Sequence, residues 1–415
     1  MFLARKPEAA RRILQRAREL GANDPGTLYL QARCEGAIGN RDRERELAQQ
    51  AIKVKRDFGS AWELLLDTTP DEELQDFAEE CLQLADEKTI ASNNKAIVLY
   101  AAGRALDKVN DIDQAFAAFE RANLAQKADA FGRGLNYDRG EVEQFIEQIQ
   151  TDFNQLATSS TASQSDAQPI FIVGMVRSGT SVIEQILGGL DGVVMGGESD
   201  ALEVVAGKYY WAVNHGRAND IGELASSDWD AMAQEYWQLQ TVSESRVTDK
   251  APLNFRHVGL ACAMFPNSPI VYVRRDPRDV GLSIYSRYFS DAHYYATDLA
   301  NIAHFIEASE RLMSYWLSRF PERIFKLQFE EFLANPQSVS QQLADFCGLE
   351  WNPSCLDFHE REDATYTFSE AQVREPLNMK GVARWERYAH HLTPLLEALP
   401  RCYSAPQAIT GGDHK

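Results

Sequence analysis

Over the first 130 or so residues, apolar positions recur at three- and four-residue intervals among Glu, Gln and Arg, which predicts packed helices. Gly103, Ala115, Phe119 and Ala122, the last three at offsets of 12, 16 and 19, put small, small, aromatic and small residues where paired helices approach closely. Leu106 adds an apolar contact, and Asn110-Asp111 supplies a turn. Ala32, Ala48 and Ala51 fill three of the same places in an earlier unit. Residues 8–20, ahead of Pro25, predict a further helix. Residues 129–157 predict one or two more, with 141–153 strongly periodic. The pattern then stops: 157–165 reads Ala-Thr-Ser-Ser-Thr-Ala-Ser-Gln-Ser, a linker by composition. Beyond it, short β-rich runs at 170–173, 193–195, 270–273 and 324–327 predict strands. The segments between them are long enough for helical crossovers, so the expected architecture is a parallel α/β sheet.

The helical spacing resembles the tetratricopeptide repeat, with a generic helical bundle as the other reading. A length of 415 residues accommodates two domains with their own cores. The net charge of −19 excludes broad nucleic-acid or anionic-membrane binding. No apolar run is long enough for a transmembrane helix, and the first residues lack the apolar segment of a signal peptide. Six scattered cysteines without a C-x-x-C pair predict free thiols in a reducing cytoplasm and no metal site.

Two segments carry candidate chemistry. The first strand run feeds Gly174-Met-Val-Arg-Ser-Gly-Thr-Ser181, and a helix follows, which aims backbone N–H groups at one point as phosphate sites do. The G-x-x-x-x-G spacing fits a Walker A loop, but Thr180 stands where the lysine should be, and Arg177 places a forked cation inside the turn. The second segment, Arg274-Arg275-Asp276-Pro277-Arg278-Asp279, ends another strand ahead of a helix. Arg275 and Ser283 could meet a second phosphate there. The alternative is a salt-bridged turn of Arg275 or Arg278 with Asp276 or Asp279.

These two segments, 98 residues apart (275 − 177), resemble the two cofactor-binding signatures of sulfotransferases. The similarity is to bacterial tetratricopeptide-repeat sulfotransferases and, further off, to tyrosylprotein sulfotransferases, and it covers roughly residues 168–400. It implies a P-loop-like parallel sheet flanked by helices, and 3′-phosphoadenosine-5′-phosphosulfate (PAPS) as sulfuryl donor. By resemblance, Arg177, Ser178, Gly179, Thr180 and Ser181 would hold the 5′-phosphosulfate, with Arg177 also facing the sulfuryl group. Arg275 and Ser283 would hold the 3′-phosphate. Glu198, 21 residues after Arg177, matches the family's proposed base, and Lys250 its lysine near the bridging oxygen. Residues 376–385 resemble the segment that covers the cofactor, with Lys380 and Arg384 as further contacts. Two positions depart: Val176 replaces the usual proline, and Ala383 replaces a serine of the tyrosylprotein enzymes, which puts a tyrosine acceptor in question.

The residue types suit the chemistry on their own terms. Sulfuryl transfer, like phosphoryl transfer, is served by positioning and cations, and a carboxylate can take the acceptor proton if burial tunes it. Glu198 could instead be a solvated carboxylate at a helix start, and Lys250 a surface ion pair with Asp249. His257 is the rival base. The expectation is therefore a helical region over 1–156, a linker over 157–167, a PAPS-dependent sulfotransferase domain over 168–402 and a flexible tail over 403–415. Its acceptor would be a hydroxyl of a carbohydrate, protein tyrosine or small molecule, and the repeats would offer a surface for a protein partner or self-association. A P-loop nucleotide kinase and a non-catalytic repeat scaffold are the alternatives.

Overall fold

The computed structural model describes residues 7–155, 162–163, 165–216, 220–240, 246–289, 291–361 and 376–400. The tail expected over 403–415 lies outside them, as do residues 157–161 and 164 of the expected linker. The chain starts with α1 Pro7–Glu19, α2 Pro25–Ala37, α3 Arg41–Val54, α4 Gly59–Leu66, α5 Leu74–Ala85, α6 Ser92–Lys108, α7 Ile112–Gly132 and α8 Arg139–Gln155. Polar caps set three of the starts: Asp24, Asn40 and Asp111 accept hydrogen bonds from the backbone N–H of Thr27, Arg43 and Gln114. Asn110, at φ 65, makes the turn between α6 and α7.

The small residues do what their spacing predicts. A Cβ at Gly103 would lie 2.4 Å from Cε1 of Phe119, whose ring is fully buried. Only glycine lets α6 and α7 come this close. Ala32, Ala48 and Ala51 are likewise at 0% exposure between α2 and α3. The helical region is compatible with repeats.

Five parallel strands follow: β1 Ile170–Gly174, β2 Val194–Met195, β3 Val247–Asp249, β4 Ile270–Arg274 and β5 Ile324–Gln328, in the order β2-β3-β1-β4-β5. β3 is absent from the sequence reading because it has three residues, two of them polar. It forms between two neighbours, and Thr248 and Asp249 find buried partners there. The flanking helices are α9 Thr180–Gly188, α10 Ala201–Asn214, α11 Ser226–Leu239, α12 Val258–Met264, α13 Pro277–Tyr285, α14 Leu299–Arg319, α15 Phe329–Ala334, α16 Pro336–Phe346 and α17 Thr393–Ala398. β1 is buried along its whole length, as a central parallel strand must be. Ile170 and Ile172 pack with α9 and α16 on one face, while Phe171 and Val173 join the core on the other.

That second core is continuous with the helical region. One buried cluster runs from Ala48 and Trp62 through Phe119 to Phe171, Tyr285 and Trp316. Hydrogen bonds cross the same boundary: Asn123 donates to the Tyr285 carbonyl at 2.9 Å, and the Tyr288 hydroxyl to Asn93 at 2.8 Å. Phe116 stacks on Tyr285. Inside the expected linker, Ser163 is buried, donating its N–H to the Ala263 carbonyl at 3.0 Å and its hydroxyl to Asp230 at 2.5 Å. No helix among the described residues is long and apolar enough to cross a membrane.

Gly103→Ala tests the close approach. At a 2.4 Å approach overpacking falls in the upper part of its range, about 2–3 kcal/mol, and helix propensity returns about 1, so we expect a net loss of about 1–2 kcal/mol by chemical denaturation. Phe119→Leu in the same chain should recover part of it. Unchanged stability would mean that the α6–α7 contact is loose.

Candidate active site

The candidate residues that follow strands stand at the carboxyl edge of the sheet, where α/β proteins bind ligands. β1 feeds the Arg177 loop, β2 leads to Glu198, β3 to Lys250, β4 to Arg275, and β5 to Phe329. Gly179 takes φ 104 just before α9, and a Cβ there would fall 2.4 Å from the Phe329 ring. Arg177 itself adopts φ 70, and Thr180 and Ser181 open α9, both buried. The loop therefore presents a helix N-terminus at the sheet edge.

The two signature segments are joined directly. Arg177 Nε donates to Ser283 Oγ at 3.0 Å. Arg275 Nη1 donates to the Arg177 carbonyl at 3.0 Å, and its Nη2 to the Gly381 carbonyl at 2.5 Å. Thus Arg177, Ser283, Arg275 and the 376–385 segment form one assembly. The alternative salt-bridged turn involves Arg278 alone, paired with Asp276 at 2.6 Å.

A cavity of about 670 Å³ opens on this assembly. Among its twenty described lining residues, eight are arginine or lysine and one is aspartate. Arg177, Gly179, Arg275, Ser283, Lys380 and Arg384 all line it, as do Arg104, Asp107 and Lys108 from α6. In a chain of net charge −19, this concentration marks an anion site. Burial, then the guanidiniums of Arg275, Arg104 and Arg384, pull the Arg177 pKa down to about 9. Burial likewise lowers that of Arg275. Ser178 Oγ and Arg275 Nε are buried without a hydrogen-bond partner among the described residues, which leaves unused donors in and beside the cavity wall. These features fit a nucleotide carrying phosphates at both ends.

Glu198 and Lys250 form a second centre, outside the lining of that cavity. The fully buried Lys250 Nζ lies 2.6 Å from Glu198 Oε1, while the Glu198 side chain is 54% exposed. Lys250 therefore pairs with Glu198 rather than Asp249. The burial that would tune Glu198 as a base is not found: one carboxylate oxygen meets Lys250 while the side chain as a whole is half exposed. Glu184, which sequence reasoning missed, anchors this centre. Its Oε1 accepts from Thr248 Oγ1 at 2.7 Å and from Gly197 N–H at 2.9 Å, and burial raises its pKa. It sits on α9, one turn below Thr180 and Ser181, so one helix positions both centres.

Asp279 was also missed. Its carboxylate accepts from the backbone N–H of Ala383 at 2.8 Å and Trp385 at 2.9 Å, holding Ala383 at φ 56. Arg384 turns to Asp107 of α6 at 2.9 Å, and the Tyr388 hydroxyl donates to the same aspartate at 2.6 Å. His257, the rival base, is buried against Glu203 at 2.9 Å, with its pKa lowered by burial. It packs the core rather than the cavity. Away from the site, Asp113, His390 and His391 have ligand-type atoms within 4.8 Å of one another; His390 and His391 each lie at hydrogen-bond distance from Asp113.

A model of the sulfotransferase family matches residues 169–353, the segment that carries every strand and both anion loops. Over those residues the chain is similar to the sulfotransferase family. An uncharacterized protein of Aquifex aeolicus is 29% identical over 76% of this chain and 43% of its own length. A putative protein-tyrosine sulfotransferase of Caenorhabditis briggsae is 26% identical over 52% of this chain and 80% of its own. This chain thus spans less than half of the Aquifex protein. The sulfotransferase domain of the Synechococcus olefin synthase matches 55% of this chain and 91% of its own, at 19% identity and a TM-score of 0.41.

Behind the second centre, Asp249 makes a testable pH effect. Burial raises its carboxyl from 3.8 to about 7, against hydrogen bonds from Tyr236, Asn254 and Gln240. Between those values the folded chain binds a proton that the unfolded chain has released. Its stabilising contribution is complete below 3.8 and is lost as pH rises toward 7. Asp249→Asn should remove this part of the slope in melting temperature between pH 5 and 7. An unchanged slope would place the titration elsewhere.

Proposed function

We propose that this protein is a PAPS-dependent sulfotransferase, moving a sulfuryl group onto an acceptor hydroxyl. The observation that carries the reading is the Arg177–Ser283–Arg275 connection, which puts two anion loops on one basic cavity. The match of residues 169–353 to the sulfotransferase family model supports it.

Ser178, Gly179, Thr180 and Ser181 would hold the 5′ end through backbone N–H groups and hydroxyls, with Arg177 beside the sulfuryl oxygens. Arg275, Ser283 and Lys380 would hold the 3′-phosphate, and Arg384 would keep the covering segment against Asp107. PAPS supplies an activated sulfuryl group whose departure leaves 3′,5′-adenosine diphosphate. Glu198 would take the acceptor proton, and Lys250, locked at 2.6 Å, holds that carboxylate in place. The strand order supports this division: β1 and its loop lie between β4, which carries Arg275, and the β3–β2 side, which carries Lys250 and Glu198. The acceptor then arrives from the β2 side, where Glu198 is exposed. The five described cysteines are buried and unpaired, which suits the cytoplasm.

Calorimetry with 3′,5′-adenosine diphosphate, 5′-AMP and ATP tests the donor. The wild type should prefer 3′,5′-adenosine diphosphate without magnesium, and Arg275→Ala should abolish that preference. Preference for ATP, or no nucleotide binding by the folded chain, would overturn the reading in favour of a kinase or a scaffold. Once an acceptor is in hand, Glu198→Gln should lower kcat by ~10²–10⁴ with nucleotide affinity unchanged. A variant with full turnover would exclude Glu198 as base.

A further inference from the structure

Three side chains that do not line the cavity converge from two distant parts of the chain. Asp113 stands in the first turn of α7, and His390 and His391 follow the covering segment. Their Nε2 atoms lie 3.0 and 2.8 Å from the same Asp113 Oδ1. All three ligand-type atoms fall within 4.8 Å of one another, and the two imidazole centroids are 3.9 Å apart. His391 is held firmly: its ring stacks on Phe116 at 4.4 Å and 8°, and its backbone N–H donates to the Tyr388 carbonyl. Phe116 stacks in turn on Tyr285 of α13. Arg387, the cation closest in sequence to the histidines, turns to Asp107 and Asn110 instead. Among the described residues, the two imidazoles are the side chains that meet the Asp113 carboxylate.

Imidazole nitrogens with a carboxylate oxygen suit zinc and its neighbours in the first transition row, whereas magnesium and calcium take oxygen ligands. Zinc held tetrahedrally at about 2.0–2.1 Å needs its ligand atoms about 3.3 Å apart. Both nitrogen–oxygen pairs come within about half an ångström of that spacing, so small side-chain rotations admit the ion. We infer that Asp113, His390 and His391 form a zinc-type divalent metal site that clamps the chain after the covering segment to α7. Asp113 and His390 are exposed, so water can reach the fourth coordination position. Metal binding there ties residues 390 and 391 to α7, as Asp107 ties 384 and 388 to α6. No sequence spacing announces the site, because 277 residues separate Asp113 from His390. Such a clamp goes beyond the sulfotransferase reading and stands whichever nucleotide the cavity takes.

The test is calorimetry with zinc chloride and with magnesium chloride on the full chain, free of any histidine tag and cleared of metal with a chelator. The wild type should take up one zinc ion per chain and no magnesium. Asp113→Asn, His390→Ala and His391→Ala should each weaken zinc binding by at least roughly 10- to 100-fold, the range lost when even an outer-shell partner is removed. Asp113 and His390 are exposed, so their substitution leaves the core packed. His215→Ala removes an exposed histidine elsewhere and should leave zinc affinity unchanged. Backbone hydrogen exchange over residues 383–392 should slow when zinc is added to the wild type, and should not respond in His391→Ala. Absence of zinc uptake would overturn the site, and equal uptake by the wild type and all three variants would reduce it to adventitious binding at other histidines. Zinc uptake that leaves the exchange rates unchanged would overturn the clamp.

Discussion

Repulsion among buried guanidiniums is the constraint around which this site is arranged. Arg177 is buried with the charges of Arg275, Arg104 and Arg384 acting on it, and little water is left to screen them. Each neighbour is held by a specific counterweight. Asp67 and Glu63 hold Arg104, Asp107 holds Arg384, and the carbonyls of Arg177 and Gly381 hold Arg275. These partners fix direction while leaving the assembly short of negative charge. On the proposed reading, a dianion entering the cavity would supply what the fold withholds, and the cost of collecting the cations would become selectivity for phosphate.

The same economy appears at the second centre. α9 carries Thr180 and Ser181 at its start and Glu184 one turn later. Glu184 binds Thr248 of β3 and Gly197 beside Glu198, and Lys250 N–H donates to the Gly197 carbonyl at 3.0 Å. α9 and the Glu198–Lys250 pair therefore share one buried carboxyl group. A shift of α9 cannot move the anion cradle without also moving the carboxylate. That coupling is what positioning chemistry requires, since an offset of an ångström between reacting groups costs orders of magnitude in rate.

What the sequence disclosed were features encoded within a few residues. Gly103 and Phe119 mark a helix contact by their size, and the Arg177 loop is a strand, a turn and a helix in succession. Arg275 and Ser283 were readable for the same reason. The parts it concealed depend on distant partners. β3 is too short and polar to register until β1 and β2 flank it. Glu184 looks like any helical glutamate until β3 and the Gly197 turn close over it. Asp279 looks like half of a charged turn, whereas it fixes the backbone of Ala383 and Trp385, more than a hundred residues later. Arg104 belongs by pattern to a helical repeat, and only packing of α6 against the sheet brings it to the cavity. The exposure of Glu198 was hidden on the same ground: Lys250 takes the buried position, leaving the Glu198 side chain half exposed.

The position of the helical region follows from these contacts. Its last hairpin, α6 and α7, is committed to the sheet: Phe119 joins the shared core, Asn123 binds the Tyr285 carbonyl, and Asp107 receives both Arg384 and Tyr388. The covering segment therefore has two anchors, Asp279 from the sheet side and Asp107 from the helical side. Neither is sufficient geometrically, because Asp279 grips the backbone before residue 386 while Asp107 grips side chains at 384 and 388. Together they define where Gly381 and Lys380 lie over Arg275. The unit built from α2 and α3 is different. It closes a small core of its own around Leu28, Leu47 and Ala61, and its faces do not serve the cavity. Any contact with another protein through the repeats is thus better placed at that end, because the surface of the last hairpin already packs against the sheet and the segment around Arg384.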